Sequence, residues 1–169
     1  DIIGEAILAI LIFVVLLLWK NSYVFTQKQE KFTSSLRYGW FYILLGCLFI
    51  LMYGSGINDS AGIVNTAIFA FLVGVYEEFL CRGWLLNEFL ERYGDTKKGV
   101  WISIVASGVI FGLIHFINVS SNGFAGTLTQ AMNASATGIL FGFIYYKTKN
   151  IWSVVFLHGF WDFSLFFYK

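Results

Sequence analysis

Apolar positions run almost unbroken through six stretches of this chain, at approximately 2–19, 38–57, 63–86, 99–118, 127–146 and 151–168. At 1.5 Å per residue, each approaches or exceeds the length needed to cross roughly 30 Å of bilayer hydrocarbon as a helix. Lipid offers no partner to backbone polar groups, so these stretches are expected to be helices. The connections alternate in charge. Connection 20–37 holds Lys20, Lys28, Lys31 and Arg37, connection 87–98 holds Arg92, Lys97 and Lys98, and the turn 147–150 holds Lys147 and Lys149. Connections 58–62 and 119–126 hold neither Lys nor Arg. An excess of positive charge marks the cytoplasmic side, which places the three basic connections there and both termini outside. The expected fold class is therefore all-α and polytopic, with about six transmembrane helices, and the expected location is a plasma membrane.

Composition agrees with the pattern. The 169 residues are 58% hydrophobic and only 12% charged, about half the charged fraction of a soluble domain. Basic residues are dispersed, so no footprint for nucleic acid appears and none is expected as a partner. Cys47 and Cys81 both lie in apolar stretches, which implies no disulfide framework. The chain starts at Asp1 rather than Met, as expected of a trimmed chain or of numbering that begins inside a longer parent. Stretch 2–19 has acidic Asp1 and Glu5 where a signal peptide carries basic residues, so it reads as a membrane helix. One membrane domain is expected, with a two-helix region over 1–62 followed by a core over 63–169. Trp19, Trp40, Trp152 and Tyr168 stand near stretch ends and read as interfacial anchors. Small residues in the fifth stretch (Ala131, Ala134, Ala136, Gly138 and Gly142) would let a neighbouring helix come close.

Charges in apolar segments are costly and are usually functional. Glu77 and Glu78 are adjacent in the third stretch, followed by Arg82. On an α-helix Glu78 and Arg82 share a face and can pair. Glu77 points elsewhere, which leaves it as the candidate base. Phe111 and His115 are again four apart, as are His158 and Asp162, and these are the chain's two histidines. Each pair alone is weak evidence, because a buried Glu–Arg pair or a buried histidine is often architectural. Three such groups in three stretches argue for one constellation.

The same residues resemble the type II CAAX prenyl protease and bacteriocin-processing enzyme family, known as CPBP or Abi. Glu77-Glu78-Phe-Leu-Cys-Arg82 is similar to its E-E-x-x-x-R motif, Phe111-Gly-Leu-Ile-His115 to its F-x-x-x-H motif, and His158-Gly-Phe-Trp-Asp162 to its third motif, a histidine followed by Asn or Asp. The resemblance covers roughly 63–168 and implies an intramembrane endopeptidase open to the cytoplasm. By that resemblance Glu77 and His115 activate a water, His158 and Asp162 stabilise the oxyanion, and Glu78, Arg82 and Phe111 support them. An ionised Asp162 only accepts hydrogen bonds, so either it is protonated, or it orients His158 and leaves donation to the imidazole. The latter reading needs no large shift and is preferred. The implied partners are membrane lipid and a peptide or lipidated-peptide substrate, in bacterial peptide or bacteriocin maturation, self-immunity or CAAX-like processing.

Two histidines and two carboxylates are also a set that zinc accepts. No H-E-x-x-H spacing exists, so no cofactor is favoured, and zinc held by Glu77, His115, His158 and Asp162 stays as the alternative. Cys81 beside Arg82 reads as a packed residue rather than a nucleophile, since an apolar site raises a thiol's pKa. Gln130 and Asn133 read as interhelical hydrogen-bonding groups or as lining of a substrate route. Two other function classes compete: a non-catalytic immunity or scaffold protein, and a proton-coupled small transporter. Against the latter, no inverted repeat is visible.

Overall fold

The computed structural model describes residues 2–18, 20–54 and 60–166. Asp1, Trp19, residues 55–59 and residues 167–169 fall outside them, and with them two of the expected anchors and two of the five residues of connection 58–62. The described residues form eight α-helices and no strand: α1 (Ile2–Leu18), α2 (Phe32–Ser35), α3 (Trp40–Tyr53), α4 (Ser60–Glu78), α5 (Asn87–Tyr93), α6 (Lys97–Ile114), α7 (Val119–Thr148) and α8 (Ile151–Phe166). Short 3-10 turns precede α3 and join α6 to α7. Three continuous helical stretches are long and apolar enough to cross a membrane, Phe32–Tyr53, Ser60–Tyr93 and Lys97–Thr148, and α1 and α8 are shorter apolar helices. Their outer surfaces are apolar, with Leu51, Val64, Leu113 and Ile117 all exposed, as lipid-facing residues should be. The chain is an all-α, polytopic membrane protein.

Three boundaries differ from the sequence pattern, each for a physical reason. The third stretch does not stop at 86. A π-helical segment, Phe79–Leu86, leads directly into α5, whose Glu88, Glu91 and Arg92 are good helix formers that hydropathy does not register. Most of the expected connection 87–98 is therefore helix. Connection 119–126 is also helical but for Gly123, whose φ of 67° breaks the run inside α7. Only glycine adopts that conformation readily. Connection 20–37 is not a plain solvated loop. It contains a 3-10 turn, Lys20–Phe25, and it is tied to the turn before α8: Glu30 N–H donates to the Thr148 carbonyl at 2.8 Å, and Asn150 Nδ2 donates to the Glu30 carbonyl at 2.9 Å. Asn150 Oδ1 also accepts from Ser153 N–H at 3.1 Å, which caps the start of α8.

The chain divides into two compact units. The first runs to Leu80 and resumes at Thr148. In it α4 packs against α1 and α8, and α8 also against α3. Phe79 is fully enclosed by the rings of Phe13, Phe25 and Trp152. Trp161 packs edge-on against Tyr42 and Phe49 of α3.

The second unit is Cys81–Lys147. Here α6 and the later part of α7 run antiparallel. A Cβ on Gly108 would stand 2.6 Å from the Ile139 nitrogen, and one on Gly112 would stand 2.4 Å from the Ala131 carbonyl oxygen. The close approach expected of the small residues in the fifth stretch thus occurs at Ala131 and Gly138. Asn118 and Asn122 both donate to Gln130 Oε1 at 3.2 Å across the Gly123 break.

Candidate active site

Four titratable groups of the first unit come together where the end of α4 meets α8. Two glycines permit it. A Cβ on Gly74 would lie 2.9 Å from the Val155 carbonyl oxygen, and one on Gly159 would lie 3.1 Å from the Ala70 carbonyl oxygen. Both neighbours are backbone and cannot rotate away. The helix backbones therefore touch one turn before Glu78 and directly beside His158. Gly74→Ala is expected to lower stability. Alanine gains about 1 kcal/mol of helix propensity over glycine, but overpacking against a rigid backbone costs about 1–3 kcal/mol. A lower melting temperature in detergent is the check, and an unchanged one would refute the close-contact account.

Glu78 is fully buried and its Oε1 lies 2.6 Å from His158 Nδ1, so the imidazole N–H donates to that carboxylate. This fixes the ring and leaves Nε2 for chemistry. Glu77 Oε2 lies 3.4 Å and Asp162 Oδ2 3.5 Å from Nε2. The side chain of Glu77 is 17% exposed and that of Asp162 33% exposed, against 0% for Glu78. The ring thus stands between an enclosed carboxylate and two partly accessible ones. Glu78, expected from spacing to serve Arg82, makes the shortest contact to His158. Asp162, expected to orient His158, lies on the opposite edge of the ring.

Tyr76 was not visible as a site residue in the sequence. Its hydroxyl donates to Glu77 Oε1 at 3.0 Å. No motif includes the position before the paired glutamates, so only its adjacency could have drawn notice. Glu5 of α1 also lies close enough to act electrostatically on the Tyr76 hydroxyl.

Arg82, Phe111 and His115 belong to the second unit. The buried guanidinium of Arg82 donates through Nη2 to the Gly138 carbonyl at 3.0 Å, and it lies 5.0 Å from the Phe111 ring centre and 5.8 Å from that of Phe141. Stacking on two aromatic faces stabilises a desolvated cation. Asn87 Nδ2 donates to the Arg82 and Gly83 carbonyls, both at 3.0 Å, and so supplies partners where the π-helical turn loosens the ladder. Phe111 presents its edge or face to His115 at 5.0 Å. The Phe111 carbonyl accepts from His115 Nδ1 at 3.0 Å. A carbonyl can only accept, so the neutral ring carries its proton on Nδ1, and Nε2 is the basic nitrogen. Cys81 is buried and Cys47 exposed.

No group of three or more His, Cys, Asp or Glu among the described residues is disposed to hold a metal ion. His158 also commits Nδ1 to Glu78, so it could offer a metal only Nε2. No step below runs through a metal.

A family model described as type II CAAX prenyl endopeptidase Rce1-like matches residues 58–164, more than half of the chain. No curated protein and no solved structure matches it.

Proposed function

The chain belongs to the Rce1-like family of type II CAAX prenyl endopeptidases, and from that premise we propose that it hydrolyses a peptide bond of a membrane-tethered or lipidated peptide with a water activated by Glu77. The observation that carries this reading is the His158 ring, held at Nδ1 by buried Glu78 and directed at Nε2 towards Glu77 and Asp162. A base and a positioned donor are what peptide hydrolysis requires.

In the proposed reaction Glu77 takes a proton from water as the water oxygen bonds to the scissile carbonyl carbon. The carbonyl oxygen becomes an oxyanion and accepts a hydrogen bond from Nε2–H of His158, whose ring in this step is an imidazolium with Nδ1–H held by Glu78. Glu77 then delivers its proton to the leaving nitrogen as the C–N bond breaks, giving a carboxylic acid and an amine. The family resemblance assigns His115 a part in activating the water, and a basic Nε2 suits that part. We further propose a plasma membrane location, with the basic connections in the cytoplasm and, as the family resemblance implies, an active site open to that side. Processing of a bacterial peptide or a CAAX-like substrate fits the family.

The test is cleavage of membrane-tethered and lipidated peptides by purified protein in detergent, with and without a strong chelator. Cleavage indifferent to chelator is expected. No cleavage by a well-folded protein would instead favour the non-catalytic immunity or scaffold reading, and chelator sensitivity would restore zinc. Asp162→Asn belongs in the same assay. Glu78 already holds the imidazole, so the variant should keep activity within about tenfold, less than a lost oxyanion donor costs. A larger loss would assign orientation of His158 to the Asp162 carboxylate.

A further inference from the structure

We propose that Tyr76 is a positioning residue for Glu77, an inference that rests on the peptidase reading above. A glutamate side chain has several rotatable bonds, and a carboxylate that must take a proton in a defined direction gains from losing that freedom. The Tyr76 hydroxyl donates to Oε1 at 3.0 Å, while Oε2 of the same carboxylate stands 3.4 Å from His158 Nε2. The two oxygens therefore have separate surroundings, one tied to a phenol and the other beside the imidazole. Successive side chains on a helix diverge by about 100°, so the contact is not forced by adjacency. It needs the length of the tyrosine ring and a rotamer turned back towards its neighbour. Tyr76 is half-buried, which excludes enough water for a phenol–carboxylate bond to be worth more than at the surface.

The titratable groups facing this pair are Glu78 on the same helix, Glu5 from α1, and His158 and Asp162 from α8. Among the described residues, Glu5 acts electrostatically on the phenol from outside the proposed machinery. The Tyr76 proton, however, is donated to Glu77.

Tyr76→Phe removes the donor and keeps the ring. The expected result is a fall in kcat of about 10–100-fold, the usual cost of losing an outer hydrogen bond to a working group, with KM and melting temperature unchanged. Glu5→Gln should leave kcat unchanged. A kcat equal to wild type in Tyr76→Phe, or a fall in Glu5→Gln of the same size, would overturn the proposal. A structural role would instead lower melting temperature and raise KM along with the loss of kcat, and that pattern would overturn it too. A second readout does not depend on cleavage: labelling of Glu77 by a hydrophobic carbodiimide, followed by mass mapping. With Oε1 released, Glu77 should label several-fold faster in Tyr76→Phe; an equal rate would show that the phenol does not hold it. If wild type cleaves nothing while labelling still accelerates, the peptidase reading fails but the Tyr76–Glu77 contact stands. If wild type cleaves and neither readout moves, the positioning role alone fails.

Discussion

Glu77→Gln is expected to abolish peptide cleavage, a loss of about 10²–10⁴-fold in kcat/KM, without unfolding the protein. The variant keeps the size and shape of the side chain. Its carboxamide oxygen can still accept from the Tyr76 hydroxyl. What it loses is the capacity to take and return a proton. Glu77 is partly exposed and makes its longer contact at 3.4 Å, so little folding energy depends on its charge. The check is paired: cleavage rate and melting temperature in the same detergent. Retention of cleavage would remove Glu77 as the base, and with it the proposed reaction.

The adjacent glutamate should behave in the opposite way. Glu78→Ala is expected to lower both stability and activity. Glu78 is fully buried and holds the imidazole of His158, itself nearly enclosed, at 2.6 Å. Removing one partner of a buried, charge-assisted pair leaves Nδ1 of the other without its acceptor, which costs about 3–5 kcal/mol. His158 would also lose the bond that fixes its ring, so any protein that folds should cleave more slowly. Glu78→Gln should recover part of the stability, because the carboxamide oxygen can accept from Nδ1 where alanine cannot. Melting temperatures in the order wild type, Gln, Ala are the expected outcome. An Ala variant as stable as wild type would mean that the short contact contributes nothing to folding. Two neighbouring, chemically identical side chains would thus separate into one that affects turnover alone and one that affects the fold as well.

Much of this was legible along the chain. The long apolar stretches determined an all-α membrane protein, since a bilayer leaves the backbone no other way to satisfy its polar groups. Contacts within one helix were equally accessible, because they follow from helical phase. His158 and Asp162 do meet at 3.5 Å, and Phe111 does touch His115 through its ring and its carbonyl. Helix ends were less legible where polar helix formers extend α5 to Tyr93, and where the single residue Gly123 breaks α7.

What the sequence alone could not decide is which residues meet across helices. Spacing predicts a partner for Glu78 only along its own helix. The contact to His158 spans 80 residues and exists because Gly74 and Gly159 let two backbones touch. Tyr76 acquires its contact through a side-chain rotamer, which no spacing encodes. The chain by itself therefore determined the helices, the membrane and the list of unusual polar residues, because hydropathy and helical periodicity are local properties. Only the tertiary structure decided the pairing of Glu78 with His158 and of Tyr76 with Glu77, because each depends on which helix faces approach and on how long side chains turn once they do.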